Sequence, residues 1–82
     1  MASDPVPLRD QAYSLGPAQY GQPVTQADSP LPVAAWIHTR QGHSCVGGVA
    51  VAWTPRAVRV RYVDDHGREG FVWVWASAVT RG

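Results

Sequence analysis

The chain has 82 residues and a mass of 8.9 kDa, which leaves room for one small domain. Its formal net charge of +1 favours no class of charged partner, and no apolar run approaches the ~18 residues that cross a bilayer. The single cysteine, Cys45, excludes an internal disulfide and a cysteine-rich zinc site. We recognise no secretory signal, and therefore expect a cytoplasmic protein without a membrane partner.

Residues 1–32 are rich in proline and poor in large apolar residues. Six of the seven prolines lie here, and none of the four tryptophans does. The apolar positions follow neither a strand period nor a helix period, so the segment buries too little surface to offset its ordering entropy. We therefore predict a flexible arm, disordered or loosely docked. Its Pro30 and Pro32 could dock on an aromatic groove, although an inert tether is the simpler expectation.

Residues 33–82 are rich in valine, tryptophan and arginine and predict a folded β domain. Six arginines against three acidic residues give this part a net charge of +3. Four windows favour strands through their β-branched and aromatic residues, and a short fifth strand follows a turn. These windows are Val33–Thr39, Val46–Trp53, Ala57–Val63 and Phe71–Trp75, with Val79 and Thr80 in the fifth. Five short antiparallel strands in so short a segment indicate a small closed barrel.

The strand pattern resembles the SH3-like small barrel superfamily, to which Tudor, KOW and related bacterial modules belong. The resemblance covers residues 33–82, and it implies an all-β, five-stranded barrel in which the second to fourth strands form a meander. It also implies a binding function: nucleic acid in KOW-like members, methylated side chains in Tudor members and Pro-rich peptides in SH3 domains. The residues that carry it are Val46–Trp53, Val58–Tyr62, Asp65-His66-Gly67 and Val72–Val79.

One enzyme family, the plasmid-type dihydrofolate reductases, is also similar in length and layout. Its members have an N-terminal arm and an SH3-like barrel that assembles into a tetramer around a pore. Their pore strand, Val-Gln-Ile-Tyr, would correspond to Val72-Trp73-Val74-Trp75. Trp73 and Trp75 replace the glutamine and the tyrosine, which removes the polar groups that this family uses. We therefore expect no enzymatic activity and no cofactor.

The register of the hairpin between the third and fourth strands decides which side chains reach the surface. With a two-residue turn, Val60 lies opposite Trp73 and the tryptophans enter the core. With a three-residue loop at Asp65-His66-Gly67, Arg59 lies opposite Trp73 instead. Both registers stay open, and the turn signal at residues 64–67 slightly favours the second.

The second register would create an outer face on which arginine and aromatic side chains alternate. Such a face stacks bases on its rings while guanidinium groups hold phosphates. The competing interpretation is core packing or self-association, because three exposed aromatic side chains form an adhesive patch. We therefore predict a non-enzymatic binding module for nucleic acid or, alternatively, for another protein or a second copy of the chain. The candidate residues are Arg56, Arg59, Arg61, Arg68, Phe71, Trp73 and Trp75.

Two further constellations carry weaker signals. His38, His43 and Cys45 lie close in the chain and could ligate zinc or copper, but no motif positions another ligand such as His66, so we predict no metal site. The Cys45–His43 pair lacks an orienting third group for nucleophilic catalysis. A Tudor-like aromatic cage is conceivable, although core packing is the simpler expectation. Its members would be Trp36, Trp53 and Tyr62.

Overall fold

The structure, a computed structural model, describes residues 4–81 and consists of one sheet of five antiparallel strands. The strands are β1 (Thr25–Thr39), β2 (Gly42–Trp53), β3 (Ala57–Val63), β4 (Glu69–Trp75) and β5 (Val79–Arg81). Their spatial order is β4-β3-β2-β1-β5. The remaining elements are a one-turn helix α1 (Pro17–Tyr20) and two 3-10 turns, Leu8–Asp10 and Ala76–Ala78. The predicted all-β class is confirmed, and no helix within residues 4–81 has the length and apolarity to cross a bilayer.

The first hairpin is longer than its composition indicated. β1 begins at Thr25, inside the predicted arm, because this end of the strand pairs with the end of β2 and places Thr25 opposite Trp53. The register shifts between Gln26 and Leu31, and this irregularity contains Pro30. Proline is accommodated at such a bulge because the ladder hydrogen bond that it cannot donate is already interrupted there. The predicted domain boundary after residue 32 therefore does not coincide with the start of the sheet.

One face of the sheet forms the core, because successive side chains of a strand point to opposite sides. On the hairpin β3–β4, Val60 lies opposite Val72 and Val58 opposite Val74, all on the core side. Tyr62 is the largest side chain buried in this layer. The core consists of Val6, Ala12, Val33, Ala35, Ile37, Ala50, Val60, Tyr62, Val72 and Val74.

The sheet does not close into a barrel, which corrects the sequence prediction. Over residues 4–81, β4 and β5 end the strand order and do not pair with each other. Instead, residues 4–15 contact both β4 and β1. The N–H of Val6 donates to the carbonyl of Glu69 (2.9 Å), and the N–H of Tyr13 donates to the carbonyl of His38 (2.8 Å). Backbone hydrogen bonds of the N-terminal segment thus link β4 to β1.

The described part of the predicted arm is docked on the sheet, so of the two predicted states, disordered or loosely docked, disorder has little support. Val6 and Ala12 are buried in the core, and the N–H of Ala12 donates to the hydroxyl of Tyr62 (3.1 Å). Burial of these two side chains offsets part of the entropy cost of ordering the segment, a contribution that was not apparent from its composition. Residues 1–3 of the predicted arm and residue 82 of the predicted barrel lie outside the described residues.

Candidate functional site

The loop between β3 and β4 sets the register of the candidate site. The N–H of Asp64 donates to the carbonyl of Arg68 (2.8 Å), which closes a three-residue loop over residues 65–67. The N–H of Gly67 donates to the carbonyl of Asp64 (3.0 Å), and Gly67 has a φ of 76°, a conformation that favours glycine. A carboxylate oxygen of Asp64 also accepts the N–H groups of His66 and Arg68. This is the predicted type I turn with a left-handed glycine, and it confirms the second register.

Arg68 is part of this loop and does not join the outer face. Its guanidinium contacts the carboxylate of Asp64 at 2.7 Å and that of Asp10 at 3.4 Å, and its side chain is 25% exposed. Burial raises the pKa of Asp64, but the hydrogen bonds from Arg68 and from the N–H of His66 outweigh it and hold the pKa below its ordinary value. The hydrogen bond to Asp64 in turn raises the pKa of Arg68. Arg68 therefore holds the β3–β4 loop against the N-terminal segment, and its predicted binding role stays a prediction.

The outer face of the hairpin brings together four of the predicted residues. Arg59 lies opposite Trp73, and Arg61 lies opposite Phe71. The guanidinium carbon of Arg59 is 4.6 Å from the centre of the Phe71 ring, a cation–π geometry. Arg61 keeps 42% of its side chain exposed and approaches Glu69 at 4.0 Å. The outer face therefore presents the exposed guanidinium of Arg61 beside the guanidinium of Arg59, which lies over the ring of Phe71.

The N-terminal segment adds residues to this face that the sequence did not indicate. The ring of Tyr20 stacks on Trp73 with the ring centres 4.0 Å apart and an angle of 13°. The N–H of Trp73 donates to the hydroxyl of Ser14 (2.8 Å), and the hydroxyl of Thr54 donates to the carbonyl of Tyr20. Because Thr54 is buried and also accepts two N–H groups of its own turn, it is a firm anchor for Tyr20. No periodic pattern in the N-terminal segment marks Ser14 or Tyr20.

These side chains surround an open pocket of about 430 Å³. Its lining includes the arginine–aromatic pair of the hairpin, the stacked ring pair and two uncharged polar side chains. Six of the lining residues supply these groups: Ser14, Tyr20, Gln26, Arg59, Phe71 and Trp73. The pocket therefore combines a stacking surface, a positive charge and hydrogen-bonding groups.

Trp75 and Arg56 lie apart from this pocket. Trp75 is 46% exposed and lines a second groove of about 260 Å³, together with Trp36, which is 58% exposed. Trp73 lines both the pocket and the groove. Arg56 lies exposed in the turn between β2 and β3, and its carbonyl accepts the N–H of Ala76. The predicted set of seven residues is thus divided among the outer face, this groove, the β2–β3 turn and the β3–β4 loop.

The weaker constellations do not assemble as sites. His38 and His43 stack at 4.1 Å across the first hairpin, and Cys45 is exposed nearby. Within the part of the chain that the structure describes, no three metal-ligating side chains form a group that could hold an ion. Tyr62 is buried in the core while Trp36 is exposed on β1, so these two do not belong to one aromatic cage.

Comparison of the chain with protein-family models, with curated proteins and with solved structures gives no match. The fold and the site define a small all-β domain with an arginine–aromatic surface. Because one fold hosts many functions, a function for this domain has to come from the chemistry of that surface.

Proposed function

We propose that this chain is a non-enzymatic binding module that binds nucleic acid through the outer face of the hairpin β3–β4. The observation that carries the proposal is the register, in which Arg59 lies opposite Trp73 and Arg61 opposite Phe71. Aromatic rings and guanidinium planes stack on bases of any sequence, while guanidinium groups also contact phosphates. The outer face supplies both chemistries on adjacent strands.

The charge of the site predicts a weak, salt-dependent complex. Arg59 and Arg61 lie on the face, and Arg56 is exposed at the end of the hairpin, so about three phosphates can be contacted. Neutralising three phosphates of a single strand gives a slope of about −2 when log K is plotted against log salt concentration. We expect a dissociation constant of about 1–100 μM near physiological salt, typical of binding without base-pair readout.

Fluorescence anisotropy with a labelled 12-nucleotide DNA, at salt concentrations from 50 to 200 mM, tests the proposal. The double variant Arg59→Ala, Arg61→Ala should weaken binding at least about tenfold. The matched control is Arg9→Ala, Arg81→Ala, which removes the same charge from exposed positions outside the face and should change affinity less than about threefold. Equal effects of the two double variants, or no binding at 100 μM protein, would contradict the proposal.

A second copy of the chain, or another protein, is the second candidate partner. It is favoured by the exposure of Trp36 and Trp75, whose indoles line a mainly apolar groove with Tyr13 and Leu15. In this alternative the partner buries the two indoles and arginines remain at the rim. Sedimentation velocity at rising concentration tests it. If the chain is still a monomer at 200 μM, and the double variant Trp36→Ala, Trp75→Ala has the same sedimentation coefficient, self-association is excluded.

We also propose that the domain belongs to the SH3-like superfamily and resides in the cytoplasm. The superfamily assignment is supported by the meander of β2, β3 and β4 and by the short 3-10 turn, Ala76–Ala78, that precedes β5. A reductase similar to the plasmid-type enzymes remains the remote alternative, and nicotinamide-dependent reduction of dihydrofolate would reveal it.

A further inference from the structure

We propose that Tyr20 is an intramolecular competitor of the ligand, because its ring covers the face of Trp73 on which a base would otherwise stack. This inference rests on the proposed function and concerns the regulation of the same site. The ring centres of Tyr20 and Trp73 lie 4.0 Å apart and the ring planes differ by 13°. A base stacks on an aromatic side chain in the same face-to-face manner. The N-terminal segment thus holds the outer face of the hairpin partly closed.

The covered face of Trp73 is the one that points toward the pocket. Trp73 lines both the pocket and the groove, whereas Tyr20 lines only the pocket. With Tyr20 in place, the ring that the pocket offers to a ligand is that of Phe71, which is 44% exposed. With Tyr20 displaced, the pocket would offer two rings, because Phe71 and Trp73 are two residues apart on one face of β4. Aromatic side chains arranged in this way on a sheet stack successive bases.

The ring of Tyr20 can leave Trp73 without breaking the hydrogen bonds of the residue. Within residues 4–81, those bonds come from its backbone: the N–H donates to the carbonyl of Gly16 (3.0 Å), and the carbonyl accepts the hydroxyl of Thr54. Helix α1, which ends at Tyr20, contains no buried residue, so no side chain of this helix has to leave the core with the ring. The stacking contact is therefore the interaction that a ligand has to displace.

The strength of that contact makes Tyr20 a moderate competitor. Stacking of two aromatic side chains, counted with the apolar area that it buries, favours the closed arrangement by about threefold to tenfold. A stacked base contributes about fivefold to a hundredfold in affinity, so a base can displace the tyrosine. The measured affinity is then reduced by the fraction of molecules in which Trp73 is uncovered.

Anisotropy titration with labelled dA12, a single strand of twelve deoxyadenylates, at 50 mM salt tests the inference. Tyr20→Ala removes the competing ring and should bind dA12 about threefold to tenfold more tightly than the unsubstituted chain. Tyr20→Phe keeps a ring that can stack and should change the affinity less than about twofold. Tyr13→Ala is the matched control, because Tyr13 belongs to the same segment but lines the groove instead of the pocket. It should also change the affinity less than about twofold.

A measurement on the unsubstituted chain tests the same inference without relying on the folding of a variant. In the free chain, nuclear Overhauser contacts should connect the ring protons of Tyr20 with the indole protons of Trp73. Saturation with dA12 should abolish these contacts and replace them with contacts between the indole and adenine protons.

The outcomes separate this inference from the proposed function. If dA12 binds but Tyr20→Ala binds it equally or more weakly, Tyr20 is no competitor and the inference is wrong, although the proposed function stands. The same conclusion follows if Tyr20→Phe gains as much affinity as Tyr20→Ala, or if the Tyr20–Trp73 contacts persist in the saturated complex. If neither the unsubstituted chain nor Tyr20→Ala binds dA12 at 100 μM protein, the proposed function fails and the inference fails with it.

Discussion

The two faces of the hairpin β3–β4 differ in what they contact, although alternate residues of the same two strands form them. Val60, Tyr62 and Val72 point inward and are buried, whereas Arg61 and Phe71 point outward and remain partly exposed. The inner face therefore stabilises the fold, and the outer face is available to a ligand. Substitutions on the inner face should therefore change the free energy of unfolding, whereas substitutions on the outer face should change the affinity for the ligand.

The largest effect is expected at Gly70 on the inner face. A Cβ atom at this position would lie 2.7 Å from the buried ring of Tyr62, and neither the ring nor the strand can move away easily. Gly70→Ala should therefore lower the free energy of unfolding by about 3 kcal/mol, as overpacking of a dense core does. Urea unfolding measures the loss. The control is Gly47→Ala, where a Cβ meets nothing within 4 Å and the change should stay below about 1 kcal/mol.

A smaller loss is expected when the N-terminal segment loses its contact with the inner face. Tyr62→Phe removes the acceptor of the buried N–H of Ala12 and should destabilise the fold by about 1–2 kcal/mol. Hydrogen exchange should accelerate most at Ala12, whereas amides in the middle of β3 should accelerate by no more than the loss in the free energy of unfolding. Unchanged protection of Ala12 in this variant would mean that the segment does not depend on the hydroxyl for its docking.

The outer face should respond in affinity instead. Phe71→Ala removes the ring beneath Arg59 and should weaken binding of dA12 by about fivefold to a hundredfold, since one stacked base contributes about 1–3 kcal/mol. Its free energy of unfolding should change by less than about 1 kcal/mol, because the side chain is partly exposed. Val63→Ala, an exposed position on the same side of β3, is the matched control and should alter neither quantity. A variant that loses stability but keeps its affinity for dA12 would show that Phe71 is not part of the binding surface.

The smallest effect concerns the loop that joins the two strands. The folded state lowers the pKa of Asp64, so its contribution to stability is present above the ordinary aspartate pKa and is lost as pH falls through the lower, folded value, below about pH 4. Both partners of the Asp64–Arg68 pair keep contact with water, which makes this contribution small. Asp64→Asn should flatten the acid side of the stability profile, and Asp65→Asn should leave it unchanged. An identical acid profile in both variants would argue against a role for the pair.

The hairpin and its loop could be predicted from sequence because their determinants are local. The alternation of Ala57–Val63 and the Asp–Gly spacing of the loop predict strand and turn over a short stretch, and they slightly favoured the register that the structure has. The N-terminal contacts could not be predicted in this way. Tyr20 meets Trp73, and Asp10 meets Arg68, only after the whole chain has folded. The same reason explains why the ion pairs of Arg68 with Asp10 and Asp64 were not predicted.

The central claim is that nucleic acid binds beside Trp73 rather than in the groove of Trp36 and Trp75. The four indole N–H groups give separate signals in a ¹⁵N–¹H correlation spectrum, so one titration with dA12 compares the candidate surfaces within one sample. We predict that the indole signal of Trp73 shifts and saturates together with the side-chain Nε signals of Arg59 and Arg61. Because Trp73 also lines the groove, the arginine signals decide the outcome: saturating shifts at Trp36 and Trp75, with the Nε signals of both arginines unmoved, would contradict the account.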